Sequence, residues 1–279
     1  MVIVLIGYGV EQDVYRFCRK VWDLYLETVQ NENIQYFFVQ EVNNQSEDVL
    51  VHGNDMYIKV EEFSTVNNLS LIPTQKTSLP SDWSDYLNSR QTIRARKSFQ
   101  WVLQNYEGRC SHLFCTTITS IHEMHSLVKL VNLMPPTGAY AGGMCVYNKT
   151  NFTAGPLIFT SGSNTILSRD LISNVVNDTS YDYLQLPFDA LIGLLLQKEK
   201  KIILPRYDIE KMVDELLPHC VLNDEINTAI DQGHFHFRVK SRGNRNLTEH
   251  IILLDIYRRF FSGIKPDFNK LLSLCKIVV

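Results

Sequence analysis

The chain has 279 residues, 45% hydrophobic and 20% charged, which is ordinary for a soluble globular protein with a sizeable core. Its net charge of -3 argues against nonspecific nucleic-acid binding, which needs a basic surface. The sequence contains no run of about 18 apolar residues, the length that would predict a membrane span. The six cysteines lack the close spacing of a zinc or redox motif, so we expect reduced thiols and a cytoplasmic location.

The N-terminal part predicts a strand, a helix and a second strand. Val2–Ile6 is a β-branched run, which we interpret as a buried strand rather than a signal peptide. The second strand is expected over 34–39, an order typical of an α/β nucleotide-binding half. Gly7-Tyr8-Gly9 is an incomplete dinucleotide fingerprint, for which turn chemistry is the simpler explanation. The helix between the strands has five apolar residues at helical spacing: Val14, Phe17, Val21, Leu24 and Tyr25.

A second helix is predicted over 89–106, after a polar, proline-containing loop over 67–87. Its basic row consists of Arg90, Arg94 and Lys97. Such a row is usually a solvated face, but a core strand follows it, so one or two of these side chains could reach a phosphate. That strand, over 111–120, ends in small hydroxyl residues, among them Thr116 and Thr117.

The stretch from Tyr140 to Gly193 predicts an active site. Two glycine clusters, 140–143 and 159–164, allow a ligand close approach to the backbone. A buried strand is expected over 157–160 and a helix over 168–176. Asp189 stands before the apolar helix 190–198, where it either starts the helix or acts as a general base.

The C-terminal part predicts a strand over 234–240 and a final helix over 247–261 that docks as a cap. Alternation puts Phe235, Phe237 and Val239 on one face of the strand. The other face has four basic or titratable side chains, His234, His236, Arg238 and Lys240. Such a face protects an edge strand from aggregation or binds an anion such as a pyrophosphate, and we favour the anion.

These motifs resemble a known family. Phe159-Thr160-Ser161-Gly162, Leu167-Ser168-Arg169-Asp170 and Phe188-Asp189-Ala190-Leu191-Ile192-Gly193 are similar in order and spacing to motifs of fringe-like and β1,3-galactosyltransferase-like glycosyltransferases of the GT-A fold. The segment 91–97 after Asp55-Met56-Tyr57 is similar to theirs as well, and the resemblance covers roughly residues 1–240. The chain's size also resembles that of small chlorovirus-encoded capsid-glycan transferases.

The resemblance implies a GT-A-like α/β fold, a mixed central sheet flanked by helices, in one domain. Residues 1–120 would bind the nucleotide-sugar, 121–245 would bind the acceptor and catalyse, and 246–279 would form a helical cap. It implies an inverting hexosyl- or pentosyltransferase that uses a UDP-sugar, with UDP-xylose as our guess, and a glycan or glycoprotein acceptor.

The resemblance also implies a role for each matching residue. Asp189 would be the general base. Family members usually hold Mn or Mg with an Asp-x-Asp after the central strand, but this chain has Cys115–Thr119 there, so we assign no metal ligand and leave a divalent ion as an open alternative. The donor would contact Gly7, Tyr8, Gly9, Asp55, Arg94, Lys97, Thr116, Thr117, His236, Arg238 and Lys240; the acceptor would contact Gly142, Gly143, Ser161, Gly162 and Phe188.

Two alternatives stay open. Phe188 occupies the place of the family's first paired acid, so a catalytically silent module that binds a sugar-nucleotide or a glycan is one. The other is a nucleotide-dependent oxidoreductase built on Gly7-Tyr8-Gly9, against which the incomplete fingerprint counts.

Overall fold

The computed structural model describes residues 1–7, 13–43, 45–60, 85–147, 155–180, 186–209, 219–239 and 247–278. Tyr8, Gly9, Lys240 and most of the loop predicted over 67–87 lie outside these ranges. The described helices are α1 (Asp13–Val29), α2 (Asp85–Asn105), α3 (Met124–Asn132), α4 (Arg169–Asn177), α5 (Phe188–Leu195), α6 (His219–Asp231), α7 (Leu247–Phe261) and α8 (Phe268–Leu274).

Strands from all parts of the chain form two sheets. The described strands are β1 (Val2–Gly7), β2 (Ile34–Val42), β3 (Val49–His52), β4 (Asp55–Lys59), β5 (His112–Thr117), β6 (Ser120–His122), β7 (Tyr140–Tyr147), β8 (Leu157–Ser168), β9 (Lys201–Ile203), β10 (Tyr207–Asp208), β11 (His236–Arg238) and β12 (Lys276–Val278). The large sheet has the order β12-β9-β7-β8-β5-β1-β2-β4-β3, and the small one β10-β11-β6.

The large sheet is mixed, as the sequence predicted. β1 pairs in parallel with β2 and β5, and β2 pairs in parallel with β4. β8 is antiparallel to both of its neighbours, β5 and β7. The carboxyl ends of β1, β2 and β5 therefore meet at one edge of the sheet, the edge at which α/β proteins usually bind ligands. β6 follows β5 directly and brings the small sheet to this edge.

Helices cover both faces of the large sheet, which confirms the predicted mixed α/β fold. Val2, Val4 and Ile6 of β1 belong to one hydrophobic cluster, together with α1, α3 and α7. Ile3 and Leu5 belong to a second cluster with α2 and α4. This alternation follows from the opposite directions of successive side chains in a strand.

The apolar face of α1 differs from the predicted one. Leu24 is 58% exposed, whereas Trp22 is fully buried and donates its indole N–H to the carbonyl of Ile118 at 3.2 Å. Trp22 and Tyr25 also contact Tyr257 of α7 through their rings. Trp22, rather than the predicted Leu24, therefore lies in the interface between α1 and α7.

Lys201 anchors the C-terminal end of α5 and should contribute measurably to stability. Its buried ammonium donates to the carbonyls of Leu196, Gln197 and Glu199 at 3.3, 3.4 and 2.9 Å. Lys201→Met removes these donors, so we expect the free energy of unfolding in urea to fall by about 2 kcal/mol. The exposed neighbour Lys200 provides the control, and an equal loss in Lys200→Met would contradict this role.

Candidate functional site

The structure brings two predicted donor-binding residues together at the carboxyl end of β1. A Cβ added to Gly7 would lie 3.6 Å from Nη2 of Arg94. Glu41 at the end of β2 accepts from Arg94 at 2.9 Å and from Arg90 at 3.0 Å. Burial lowers the pKa of Arg94, an effect that the Glu41 carboxylate opposes. The backbone of β1 thus ends against an ion-paired arginine, and a donor role for both residues stays a prediction.

Two other predicted donor residues have structural partners elsewhere. Asp55 forms an ion pair with Arg19 of α1, on the face of the sheet opposite α2. Lys97 donates from Nζ to Asp48 at 2.7 Å and to the carbonyl of Lys59 at 2.9 Å, which fastens α2 to the sheet edge. The sequence pattern did not reveal these local partners, and the structure does not place Asp55 or Lys97 at the site described below.

The carboxyl end of β5 has hydroxyl groups where the family resemblance implied metal-binding carboxylates. The hydroxyl of Thr116 donates to the carbonyl of Ser163 and therefore accepts from Nε2 of His122, both at 2.9 Å. The hydroxyls of Thr117 and Ser120 lie 3.0 Å apart. In the described ranges no three His, Cys, Asp or Glu side chains form a metal-binding group. This donor set does not fit Mn or Mg, which prefer carboxylate oxygens.

A bulge in β8 lies at the same edge. Gly142 pairs with Thr165 and Met144 with Thr160, so Gly143 alone is opposite the four residues 161–164, which we call the β8 bulge. The hydroxyl of Ser161, a predicted acceptor residue, lies 2.9 Å from that of Ser163 within the bulge. We expected a strand only over 157–160, but β8 continues through the bulge to Ser168. Bulges next to active sites re-aim side chains.

The β8 bulge requires glycine at position 142. Gly142 has a φ of +156°, and a Cβ there would overlap the carbonyl oxygen of Asn164. We expect Gly142→Ala to lower the free energy of unfolding by about 3 kcal/mol, because backbone cannot move aside without disrupting the bulge. Urea denaturation measures the loss. Gly155→Ala, where a Cβ would meet nothing within 4 Å, should stay within about 0.5 kcal/mol of the unmodified chain; a similar stability for both variants would disprove the requirement.

Asp189 connects α5 to the β8 bulge. Its Oδ2 accepts from the backbone N–H of Gly162 at 3.0 Å, and its Oδ1 accepts from that of Ala190 at 3.0 Å. Burial raises the pKa of Asp189, while these N–H groups and the positive charge of Arg238 oppose the rise. The carboxylate is thus held in one orientation and made more basic than an exposed aspartate, as a general base requires.

Tight packing fixes the position of α5. A Cβ added to Gly193 would overlap the side chain of Phe159 on β8, so only glycine allows the helix this close. Phe188 packs edge-to-face on Phe99 of α2, with ring centroids 5.4 Å apart. The ring of Phe188 is thus part of the interface between α5 and α2, and its acceptor role stays a prediction.

The described residues of the predicted basic face, His234, His236 and Arg238, are buried or half-buried. His236 is fully buried and stacks on His122 with ring centroids 4.1 Å apart. Burial lowers the pKa of His236 well below its usual value, and the nearby charges of Arg206 and Arg238 lower it further. His236 is therefore a neutral side chain rather than the predicted cation. His234 packs against Tyr207 instead, with ring centroids 5.3 Å apart.

Arg238 does lie at the site edge. It pairs in register with Ser120, just beyond the carboxyl end of β5, and its charge reaches Asp189 and His236. Arg238 as a residue is half-buried. No hydrogen bond or ion pair to it occurs in the described part of the chain, so it is available to an anionic ligand.

Two further residues lie at this candidate site: Arg206, which the sequence did not indicate, and Asn164, which was predicted only as part of the glycine cluster 159–164. Arg206 follows β9, and its side chain lies 3.5–3.6 Å from a Cβ added to Gly143. Its Nε donates to Asp208 at 3.0 Å, whereas its buried Nη1 has no partner in the described ranges. A single arginine after a short strand gives no sequence signal. Together these residues form what we call the Asp189 cluster: Gly162, Asn164, Asp189, Arg206, His236 and Arg238.

Two surface cavities, of about 540 and 390 Å³, lie elsewhere. The first is near the C-terminal ends of α4 and α5, and the second is near the end of α1 and the start of β2. Neither is lined by a residue of the Asp189 cluster, so the chemistry of the side chains locates the site. Among the described helices, none has both the length and the apolar character needed to span a membrane.

Comparisons with solved structures give weak similarity. A solved structure of a glycosyltransferase involved in the glycosylation of the major capsid of PBCV-1 matches 91% of this chain and 98% of its own, with a TM-score of 0.45 and 8% identity. No family model matches the sequence, and no curated protein matches it significantly. Because the similarity is this weak, we deduce the function from the residues of the site.

Proposed function

We propose that this chain is an inverting glycosyltransferase that moves a sugar from a nucleotide-sugar, a UDP-sugar in the first instance, to a hydroxyl of a glycan acceptor. The observation that carries the proposal is the carboxylate of Asp189. It is oriented by the N–H of Gly162 and made more basic by burial, at the sheet edge where α/β proteins bind ligands.

In the proposed reaction Asp189 accepts the proton of the acceptor hydroxyl. The hydroxyl oxygen then attacks the anomeric carbon from the face opposite the nucleotide. As the new C–O bond forms, the bond between the anomeric carbon and the phosphate oxygen breaks, and the nucleoside diphosphate leaves with the electron pair. A hydroxyl is a poor nucleophile until a base accepts its proton, so this role suits a carboxylate with a raised pKa.

The departing diphosphate carries negative charge that needs stabilisation. Carboxylates for a metal are absent at the described end of β5, whereas Arg238 lies one strand away, opposite Ser120. Arg206 supplies a second guanidinium on the other side of the bulge, beside Gly143. We propose that these fixed cations stabilise the leaving group, an electrostatic effect that is often the largest in catalysis.

The finer substrate assignment rests on the motif resemblance. The Leu167–Asp170 and Phe188–Gly193 motifs resemble those of fringe-like transferases, and the size of the chain resembles that of small chlorovirus capsid-glycan transferases. We therefore propose UDP-xylose as the first donor to test, and a glycan of a viral capsid glycoprotein as the first acceptor.

Calorimetric titration with UDP- and GDP-sugars, in Mn²⁺ and again in EDTA, tests the proposal together with a transfer assay. We expect one donor to bind in both conditions and to be consumed when a glycan acceptor is added. Binding without turnover would instead favour the silent binding module. No binding by any nucleotide-sugar would overturn the proposed function.

Arg238→Gln should weaken binding of the free nucleoside diphosphate about tenfold, because a charge-assisted hydrogen bond to phosphate is lost. Arg238→Lys keeps the charge and should recover part of the affinity. Arg258→Gln is the control, since Arg258 is exposed on α7. Unchanged affinity in Arg238→Gln, measured by calorimetry, would remove Arg238 from the donor site.

A further inference from the structure

An ion pair between Arg206 and Asp208 lies at the edge of the Asp189 cluster. Nε of Arg206 donates to Oδ2 of Asp208 at 3.0 Å, and Nη2 lies 2.9 Å from the same oxygen. A guanidinium is planar and rigid, so two contacts along one edge fix the orientation of the whole group. The remaining nitrogen, Nη1, is on the other side of the group and lies beside Gly143, 3.6 Å from a Cβ added there.

The small sheet places Asp208 next to a second arginine. Asp208 of β10 pairs in register with Arg238 of β11, which in turn pairs with Ser120 of β6. Residues in register point to the same face of a sheet, and neighbouring strands lie about 5 Å apart. The carboxylate of Asp208 is therefore bonded to Arg206 and shares one face of the sheet with Arg238.

The two arginines converge on the site. The charges of Arg206 and Arg238 both lower the pKa of the buried His236, so both guanidinium groups lie near that ring. Like charges repel each other at such a separation, and a long side chain has many other rotamers to adopt. Without the carboxylate of Asp208, Arg206 would turn away from Arg238 towards solvent.

We propose that Asp208 is a positioning residue, which holds the guanidinium of Arg206 where it meets the leaving diphosphate. This inference rests on the proposed function, in which Arg206 and Arg238 stabilise that group. The charge of Asp208 also repels the diphosphate, but its side chain is 45% exposed, against 18% for Arg206, and water and salt screen an exposed charge more strongly. The orientation of Arg206 should outweigh this repulsion, so removal of Asp208 should weaken diphosphate binding.

The experiment measures affinities by calorimetry, with UDP and UMP and with GDP and GMP as probes. The monophosphates lack the phosphate group that carries the leaving oxygen. For the diphosphate that binds, Arg206→Gln should lower the affinity about tenfold and Asp208→Ala about fivefold, with a smaller loss for its monophosphate. Asp208→Asn keeps an oxygen that accepts from Arg206 and should recover part of the affinity. Asp255→Ala is the control, because it removes a similar ion pair with Arg259 inside α7, and it should not change either affinity.

A double-mutant cycle tests whether Asp208 acts through Arg206. In the Arg206→Gln protein the further change Asp208→Ala should alter diphosphate affinity less than about twofold, because the side chain that Asp208 positions is gone. Equal losses with and without Arg206 would overturn the inference. Unchanged or tighter diphosphate binding in Asp208→Ala would overturn it as well, and all of these results leave the proposed function intact. Absence of binding by every nucleotide and nucleotide-sugar in the unmodified protein would overturn both.

Discussion

Asp189→Asn is expected to reduce transfer at least about a hundredfold, with little change in donor affinity. General-base catalysis typically contributes a factor of 10² to 10⁴, and asparagine cannot accept the acceptor's proton. The substitution preserves the shape of the side chain. In the unmodified protein Oδ2 of Asp189 accepts from the N–H of Gly162 at 3.0 Å, and the amide oxygen of asparagine can accept the same hydrogen bond. Steady-state kinetics should therefore show a large loss in kcat, while calorimetry gives nearly the same Kd for the donor.

A second carboxylate provides a matched control. Asp170 in the first turn of α4 also accepts from a glycine N–H, that of Gly138 at 3.0 Å, but it lies outside the Asp189 cluster. Asp170→Asn should lower the free energy of unfolding and leave kcat nearly unchanged. If Asp189→Asn turned over at a rate comparable with the unmodified enzyme, Asp189 would be a helix-terminus residue only, the simpler reading of its place in the sequence.

Local sequence patterns predicted the elements well. The final helix was expected over 247–261, and α7 has these bounds. The strands 2–6 and 34–39 and the helix 89–106 all occur with small shifts at their ends. Each depends on periodicity or apolar runs within one segment, and such signals can be read without knowledge of the tertiary structure.

The site was harder to predict because it depends on contacts between distant segments. The β8 bulge follows from the register between β7 and β8, and Arg206 is placed by the packing of its side chain beside Gly143. Alternation in 234–240 separated Phe237 from His236 correctly, but it could not show that a second layer buries both faces. The alternating basic residues therefore suggested that His236 is exposed to a ligand, whereas in the structure it is buried and stacks on His122.

This stack should make the protein sensitive to acid. Burial lowers the pKa of His122 to about 3 and that of His236 well below its ordinary value of 6.5. The folded chain keeps both neutral, whereas the unfolded chain protonates both near pH 6.5. Unfolding therefore takes up protons below pH 6.5, and stability falls as the pH falls towards the folded pKa values. Each histidine can lower the free energy of unfolding by about 1.4 kcal/mol for each pH unit below 6.5.

Between pH 7 and pH 5 we expect the free energy of unfolding to fall by about 4 kcal/mol from this pair, about 2 kcal/mol for each histidine. Urea denaturation at the two pH values measures the change. His236→Gln should remove about half of it, and the comparison with the unmodified chain cancels the opposite contribution of Asp189, whose pKa is raised by burial. His52→Gln, at an exposed position, should leave the pH dependence unaltered. An unaltered slope in His236→Gln would show that the pKa of His236 is the same in the folded and the unfolded protein, so that burial beside Arg206 and Arg238 does not keep its imidazole neutral.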